Sequence, residues 1–166
     1  MNKKIIAIIG AISLLSACET ASQKVVSGSS SSGSASASSS SKSLFASAKQ
    51  TKADKLIAVG DRVLFGYDSA KLDSSAKILL DAQSRFLRAN TDLNFIIEGH
   101  ADERGTREYN LALGEQRATA VRDYLVIQGI DSDRIKVISY GKEKPTVVGS
   151  NTMAWSKNRR AVTIID

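Results

Sequence analysis

Apolar residues recur along this chain in three patterns. The first is a continuous apolar run over residues 5–15, immediately behind Lys3 and Lys4. The second is a set of short apolar segments bounded by polar or turn residues: 61–65 (DRVLF), 93–98 (LNFIIE), 135–140 (IKVISY) and 161–165 (AVTII). Segments of that length and content predict strands. The third has helical spacing. Leu79, Leu80, Phe86 and Leu87 recur on one face, behind Asp73 or Ser74 as a cap, and predict a helix ending near Asn90. Leu111, Gly114, Ala118, Val121 and Leu125 define the stripe of a second helix, with Gly129 as its stop. The predicted order is β-α-β-α-β-β. It implies an α/β (α+β) sandwich with a mixed sheet, at least one antiparallel pairing and helices mainly on one face.

The N-terminal pattern divides the 166 residues into parts that fold and parts that do not. A positive start followed by eleven apolar residues reads as a secretory signal, too short to remain as a spanning helix. Leu15-Ser16-Ala17-Cys18 resembles a bacterial lipobox at all four positions. That resemblance implies cleavage after residue 17 and a lipidated Cys18 as the new N-terminus. Cys18 is the one cysteine, so no internal disulfide is available. One acyl chain anchors marginally, and two or three hold a protein on a membrane. Glu19 follows the cysteine where inner-membrane retention is associated with Asp, which favours the outer membrane.

Residues 18–54 have the composition of a linker, with 27–41 reading SGSSSSGSASASSSS. Such a stretch cannot bury enough apolar surface to offset its ordering entropy. As a Gly/Ser coil it reaches roughly 30–36 Å. Residues 55–166 then suit one small domain. Loss of Lys3 and Lys4 with the signal lowers the formal charge from +6 to +4. With no polybasic run, that excludes a nucleic-acid argument, while it suits a partner carrying carboxylates.

The chemistry-bearing residues crowd into 98–121, EGHADERGTREYNLALGEQRATAV. Enzyme readings fare badly there. The one cysteine is acylated, and the one histidine, His100, has no Gly-x-Ser-x-Gly element to serve. A zinc site needs about three protein ligands, and HADE offers one His and two carboxylates on a loop. Two acids across a deep cleft, as in a glycosidase, are not expected in so small a domain. Binding is better supported. Asp102 follows a strand, and Thr106 can cap the next helix. Asn110 and Arg117 lie two turns apart on one face of it, ~10.5 Å along the axis. Arg117 falls about 70° from the centre of the apolar stripe, flanking the core. A fixed carboxylate and guanidinium suit a zwitterion, Asp102 taking an ammonium and Arg117 a carboxylate in bidentate fashion. Against this stands the reading of a solvated charged loop, with His100 structural. Arg117 also lies ~16 Å along the helix from Thr106, so the loop must fold back for both charges to meet one ligand.

EGHADERGTREYNLALGEQRATAV, VISYGKEKP and SKNRRAVTI closely resemble the OmpA-like, peptidoglycan-binding domain family, over 55–166. The match is to its lipidated members, in which lipobox, tether and domain stand in this order. The resemblance is thinnest at 150–155 (SNTMAW). It implies the β-α-β-α-β-β sandwich and a non-enzymatic, cofactor-free protein that binds the diaminopimelate of peptidoglycan stem peptides, whose free end is a zwitterion. It places the ligand-binding acid on Asp102, the arginine on Arg117, an assisting amide on Asn110 and a first-loop acid on Asp68. Tyr67 stands where the family often has Phe, as a ring wall. Implied partners are peptidoglycan, the outer membrane through the lipid, and the Tol system with its β-propeller component, the domain lying in the periplasm. A protein-interaction module and a cell-wall hydrolase are the rival classes.

Overall fold

The computed structural model describes residues 51–166. The signal, the lipobox cysteine Cys18 and the Ser-rich stretch lie outside the described residues. Residues 51–59 are helical (α1). Then follow β1 (Arg62–Leu64), α2 (Ser74–Ala89), β2 (Phe95–His100), α3 (Arg107–Ile127), a 3-10 turn (Ser132–Arg134), β3 (Ile135–Gly141), α4 (Thr152–Asn158) and β4 (Arg160–Ile165). The four strands form one sheet in the order β1-β4-β2-β3. β4 runs antiparallel to both β1 and β2, while β2 and β3 are parallel. The mixed α+β sheet expected from the apolar pattern is therefore present.

Register explains which face carries the helices. Phe95 lies between Ile165 and Ile135, Ile97 between Thr163 and Val137, and Gly99 between Ala161 and Ser139. Alternate residues share a face, so these form one surface. Phe95 and Ile97 have no exposed area and join Leu80 and Leu87 of α2 and Ala118, Val121 and Leu125 of α3 in a single core. Gln83 sits fully buried among them because both ends of its amide are bonded. It donates to Gly60 O at 2.6 Å, and Oε1 accepts from Thr163 Oγ1 at 3.1 Å.

Three expectations change. The 54/55 boundary falls inside α1, whose Leu56 is 2 % exposed and belongs to the core, and Lys52 is ion-paired with Asp92 at 2.7 Å. One buried leucine in a nine-residue helix is too little to display a helical period. β2 runs two residues beyond Glu98, because Gly99 and His100 pair with Ser139 and Gly141 across a register shift. Helix α4, of seven residues, stands between β3 and β4 where no helix was expected. It is too short to show an apolar period, and is set by a cap: the Asn151 side chain accepts from Ala154 N at 2.9 Å.

Candidate functional site

The loop after β1 and the loop after β2 meet over the first turns of α3. What folds the second loop back is a set of bonds from α3 itself. Thr106 caps the helix by accepting from Tyr109 N at 3.2 Å. Asn110, 2 % exposed, donates its Nδ2 to Arg104 O at 2.7 Å and Thr106 O at 3.0 Å. The helix then returns along β2 so closely that a Cβ on Gly99 would stand 1.8 Å from Gly114 O. Ser139 Oγ donates to Leu111 O at 2.6 Å on the same contact. This close crossing carries Arg117 to the end of β2, where its Nη1 donates to His100 O at 2.8 Å.

Tyr67, Asp68, Asp102, Asn110 and Arg117 consequently line one cleft of about 230 Å³. Arg104 and Tyr109 complete its walls. A larger, more open depression of about 690 Å³ lies beside it between Leu64 and Lys77. Its one carboxylate, Asp73, already caps α2 through Ala76 N at 2.7 Å. The smaller cleft therefore holds the paired charges.

The five expected residues play unequal parts. Arg117 does not flank the core; it has no exposed surface at all. Its Nε donates to Ser69 O at 2.9 Å and its Nη2 to Gly66 O at 3.2 Å, besides the bond to His100 O. Three of five donors thus staple the first loop to the end of β2, leaving one hydrogen on each Nη. Bidentate capture of an incoming carboxylate by Arg117 would be confined to those two hydrogens, a restriction that periodicity could not show because it places a residue relative to a stripe but not to the loops that close over it. Burial foremost, then the nearby Arg159, pulls the Arg117 guanidinium down to about 10, still charged at neutral pH.

Asp102 is 5 % exposed, and its oxygens are occupied. Oδ1 accepts from Arg104 N at 3.1 Å and Nε at 3.0 Å; Oδ2 accepts from Arg104 Nη2 at 2.5 Å and Arg159 Nη1 at 3.3 Å. Burial alone would push this carboxyl up, but the bonds from Arg104 and Arg159 together hold it below its ordinary value. Asp68 is exposed, adopts φ 51°, and accepts a short hydrogen bond from the Tyr109 hydroxyl. Asp is among the residues that tolerate this left-handed region, and Asp68 lies in a turn.

Sequence reasoning missed Arg104, Tyr109, Trp155 and Arg159. Arg104 packs against two rings, its Cζ 4.2 Å from the Tyr67 centroid and 4.1 Å from that of Trp155. Trp155 Nε1 donates to Glu103 Oε1 at 3.0 Å, tying α4 to the loop after β2. The position of Arg104 two residues beyond Asp102 was a signal for a local fork; Trp155 was reachable only through α4.

His100 stays out of the cleft. It is 1 % exposed and stacks on Tyr140 with centroids 5.6 Å apart. Neither ring nitrogen has a hydrogen-bond partner. Burial first, then Arg160, Lys144 and Arg62, pulls its pKa down to about 4. The imidazole is neutral at pH 7, so the 3.6 Å approach of Nε2 to Glu98 Oε2 is not an ion pair there. Among the described residues, no group of three or more His, Cys, Asp or Glu could hold a metal ion, and no helix is long and apolar enough to cross a membrane.

A model of the OmpA family matches residues 64–159. The chain belongs to the OmpA family. Among its relatives is the peptidoglycan-associated lipoprotein of Rhizobium meliloti, 49 % identical over 120 residues, which cover 72 % of this chain and 68 % of that one. The peptidoglycan-associated lipoprotein of Pasteurella multocida is 46 % identical over 100 residues, 60 % of this chain and 67 % of its own. The crystal structure of the peptidoglycan-associated lipoprotein from Burkholderia pseudomallei superposes with TM-score 0.64 at 37 % identity, covering 67 % of this chain and 93 % of that one. The C-terminal domain of Helicobacter pylori MotB shares the fold at TM-score 0.60 and 17 % identity, over 64 % of this chain and 84 % of its own. The relatives among these that are 30 % or more identical are named for association with peptidoglycan and for lipidation, not for a reaction.

Proposed function

We propose that this OmpA-family chain binds peptidoglycan non-covalently and tethers the outer membrane to the cell wall. The ligand group is the zwitterionic end of diaminopimelate in a stem peptide. One observation carries the reading: carboxylates and guanidiniums face a single cleft, with Asp68 and Asp102 against Arg104 and Arg117. A bound ammonium would meet the acidic wall and a bound carboxylate the basic one, with Tyr67 as the ring wall and Asn110 holding the loop that carries Asp102. Lipids on Cys18 would fix the other end in the outer membrane, with the domain in the periplasm. The names of the relatives support the peptidoglycan reading; a place in the Tol system, beside its β-propeller component and the division machinery, rests on the sequence resemblance alone.

The test is co-sedimentation of the purified chain with sacculi, with Asp102→Asn and Asp68→Asn as variants and circular dichroism as the folding control. Saturable binding of the wild type is expected, weakened at least tenfold by Asp102→Asn, since hydrogen bonds to charged groups carry the larger share of such energies. A folded Asp102→Asn protein that sediments like wild type removes the site assignment. Absence of saturable wild-type binding removes the function.

A further inference from the structure

The sheet has a second face, and its charges are arranged differently from those of the cleft. α2 and α3 cover the face that carries Phe95, Ile97 and Gly99. Ile96, Glu98 and His100 alternate with these and point the other way, beside Arg62 of β1, Arg160 of β4 and Lys136 of β3. None of these six belongs to the core cluster. Two of them are buried yet short of partners. Arg160, 6 % exposed, gives Nη1 to Asn158 O at 3.4 Å and Nη2 to Lys144 O at 3.2 Å, while its Nε has no partner. His100 stands on the neighbouring strand, one residue on from the Gly99–Ala161 pair, and neither of its ring nitrogens has a partner. Buried donors left unmade are costly. The surrounding charge is one-sided. Arg62 is exposed and diagonally across the β1–β4 ladder from Arg160, and its guanidinium makes no hydrogen bond or ion pair with a described residue. Lys144, also exposed, holds its Nζ 3.6 Å from the Tyr140 ring centroid, and that ring stacks on His100. Against these three cations stands one carboxylate, Glu98, whose Oε2 is 3.6 Å from His100 Nε2, beyond hydrogen-bond reach. Lys136 is already paired with Asp166 at 2.7 Å. Burial first, then Arg160, Lys144 and Arg62, lowers the His100 pKa; burial first, then Arg62, lowers that of Arg160.

We propose that this end of the second face is an oxyanion site that takes a phosphate group. Arg62 and Lys144 close on its outer oxygens, an inner oxygen accepts from the unpartnered Nε–H of Arg160, and His100 stands beside it as a neutral donor. The three cations come from three segments, β1, β4 and the loop after β3, and all three act on the one ring of His100. Such a tripod suits a tetrahedral phosphate better than the two coplanar oxygens of a carboxylate. Water can serve a lone Nε–H or a ring nitrogen, but it leaves the surplus positive charge unmet. Entry is past the exposed side chains of Arg62 and Lys144, since Arg160 and His100 are buried. The site shares no lining residue with the cleft and does not depend on the peptidoglycan reading.

His100 is the one histidine of the chain, so its ring resonances in NMR report on this site alone. The full chain is titrated at pH 7 with inorganic phosphate, glycerol phosphate, dihexanoylphosphatidylglycerol and acetate, with chloride keeping the ionic strength fixed. Saturable shifts of the His100 ring are expected with phosphate, and acetate should bind about tenfold more weakly. The double variant Arg62→Gln with Lys144→Gln changes two exposed side chains. It should raise the phosphate dissociation constant about tenfold, with the fold kept by circular dichroism and sacculus binding as in wild type. Lys136→Gln, on the same face but already paired, should leave that constant within about twofold of wild type. A saturable response to dihexanoylphosphatidylglycerol as well as glycerol phosphate assigns a lipid headgroup, and a response to the free phosphates alone assigns a soluble ligand; both uphold the site. No saturable response to any phosphate overturns it. A folded double variant that binds phosphate like wild type overturns it too. So does a loss in Lys136→Gln as large as in the double variant, which would mean charge spread over the face rather than a built site. Acetate bound as tightly as phosphate overturns the ligand class.

Discussion

Arg117 donates to three backbone carbonyls from two separate segments while showing no surface to solvent. Truncating it leaves those carbonyls unpaired and opens a cavity under the cleft. Arg117→Ala should therefore destabilise the domain by about 3–5 kcal/mol, read as a fall in Tm. An unchanged Tm would mean that water already serves those carbonyls. Loss of sacculus binding in this variant says nothing by itself about ligand contact. His100 supplies a pH dependence of opposite character to a surface histidine. Its pKa is about 4 in the fold, against about 6.5 unfolded. Between those values the unfolded chain holds the extra proton, so acid favours unfolding. The stability is fully present above pH 6.5 and is lost as pH falls towards 4, by about 3 kcal/mol in all. Tm should drop steadily from pH 7 to pH 5, and His100→Phe should flatten that slope. A wild-type Tm that is flat over this window would contradict the buried neutral imidazole.

At the scale of elements, α3 builds the site by lying on the sheet without an intervening side chain. Gly99 and Gly114 make that contact backbone to backbone, and a Cβ at Gly114 would meet Ser139 Oγ at 2.4 Å. Gly99→Ala should cost about 3 kcal/mol, the upper range for overpacking, because the obstacle is a carbonyl rather than a movable side chain. It should also weaken sacculus binding, since α3 carries Asn110 and Arg117. Asn110→Ala removes two bonds to the loop that presents Asp102 and Arg104. It should reduce binding less than Asp102→Asn, as neutral hydrogen bonds are worth about half as much; an equal or larger loss would give Asn110 a direct ligand role. Strand and helix periods located β1 to β4, α2 and α3 to within two or three residues of their ends. Helix α4 and the start of the domain escaped, for one reason: seven residues, or a lone buried Leu56, are shorter than the period they would have to display.

The whole molecule is read as an anchor, a tether and a clasp. If Cys18 carries lipid, Cys18→Ser should move the chain from the membrane fraction to the soluble fraction, and mass spectrometry of the mature N-terminus should find the modification. An unmodified Cys18 removes the anchor. The sequence by itself determined the sheet and its two long helices, because burial of one face imposes a period that any reader of the chain can count. It also determined the crowd of charges at 98–121, and the family motifs that picked Asp68, Asp102, Asn110 and Arg117 out of them. Only the tertiary structure decided what each charge does. Whether a guanidinium faces ligand or backbone depends on which carbonyls come within 3 Å of it, and those carbonyls arrive from residues tens of positions away. Arg117 met Gly66 and Ser69 and became a staple. Arg104 met the ring of Trp155 on a helix the sequence did not announce, and kept one edge open.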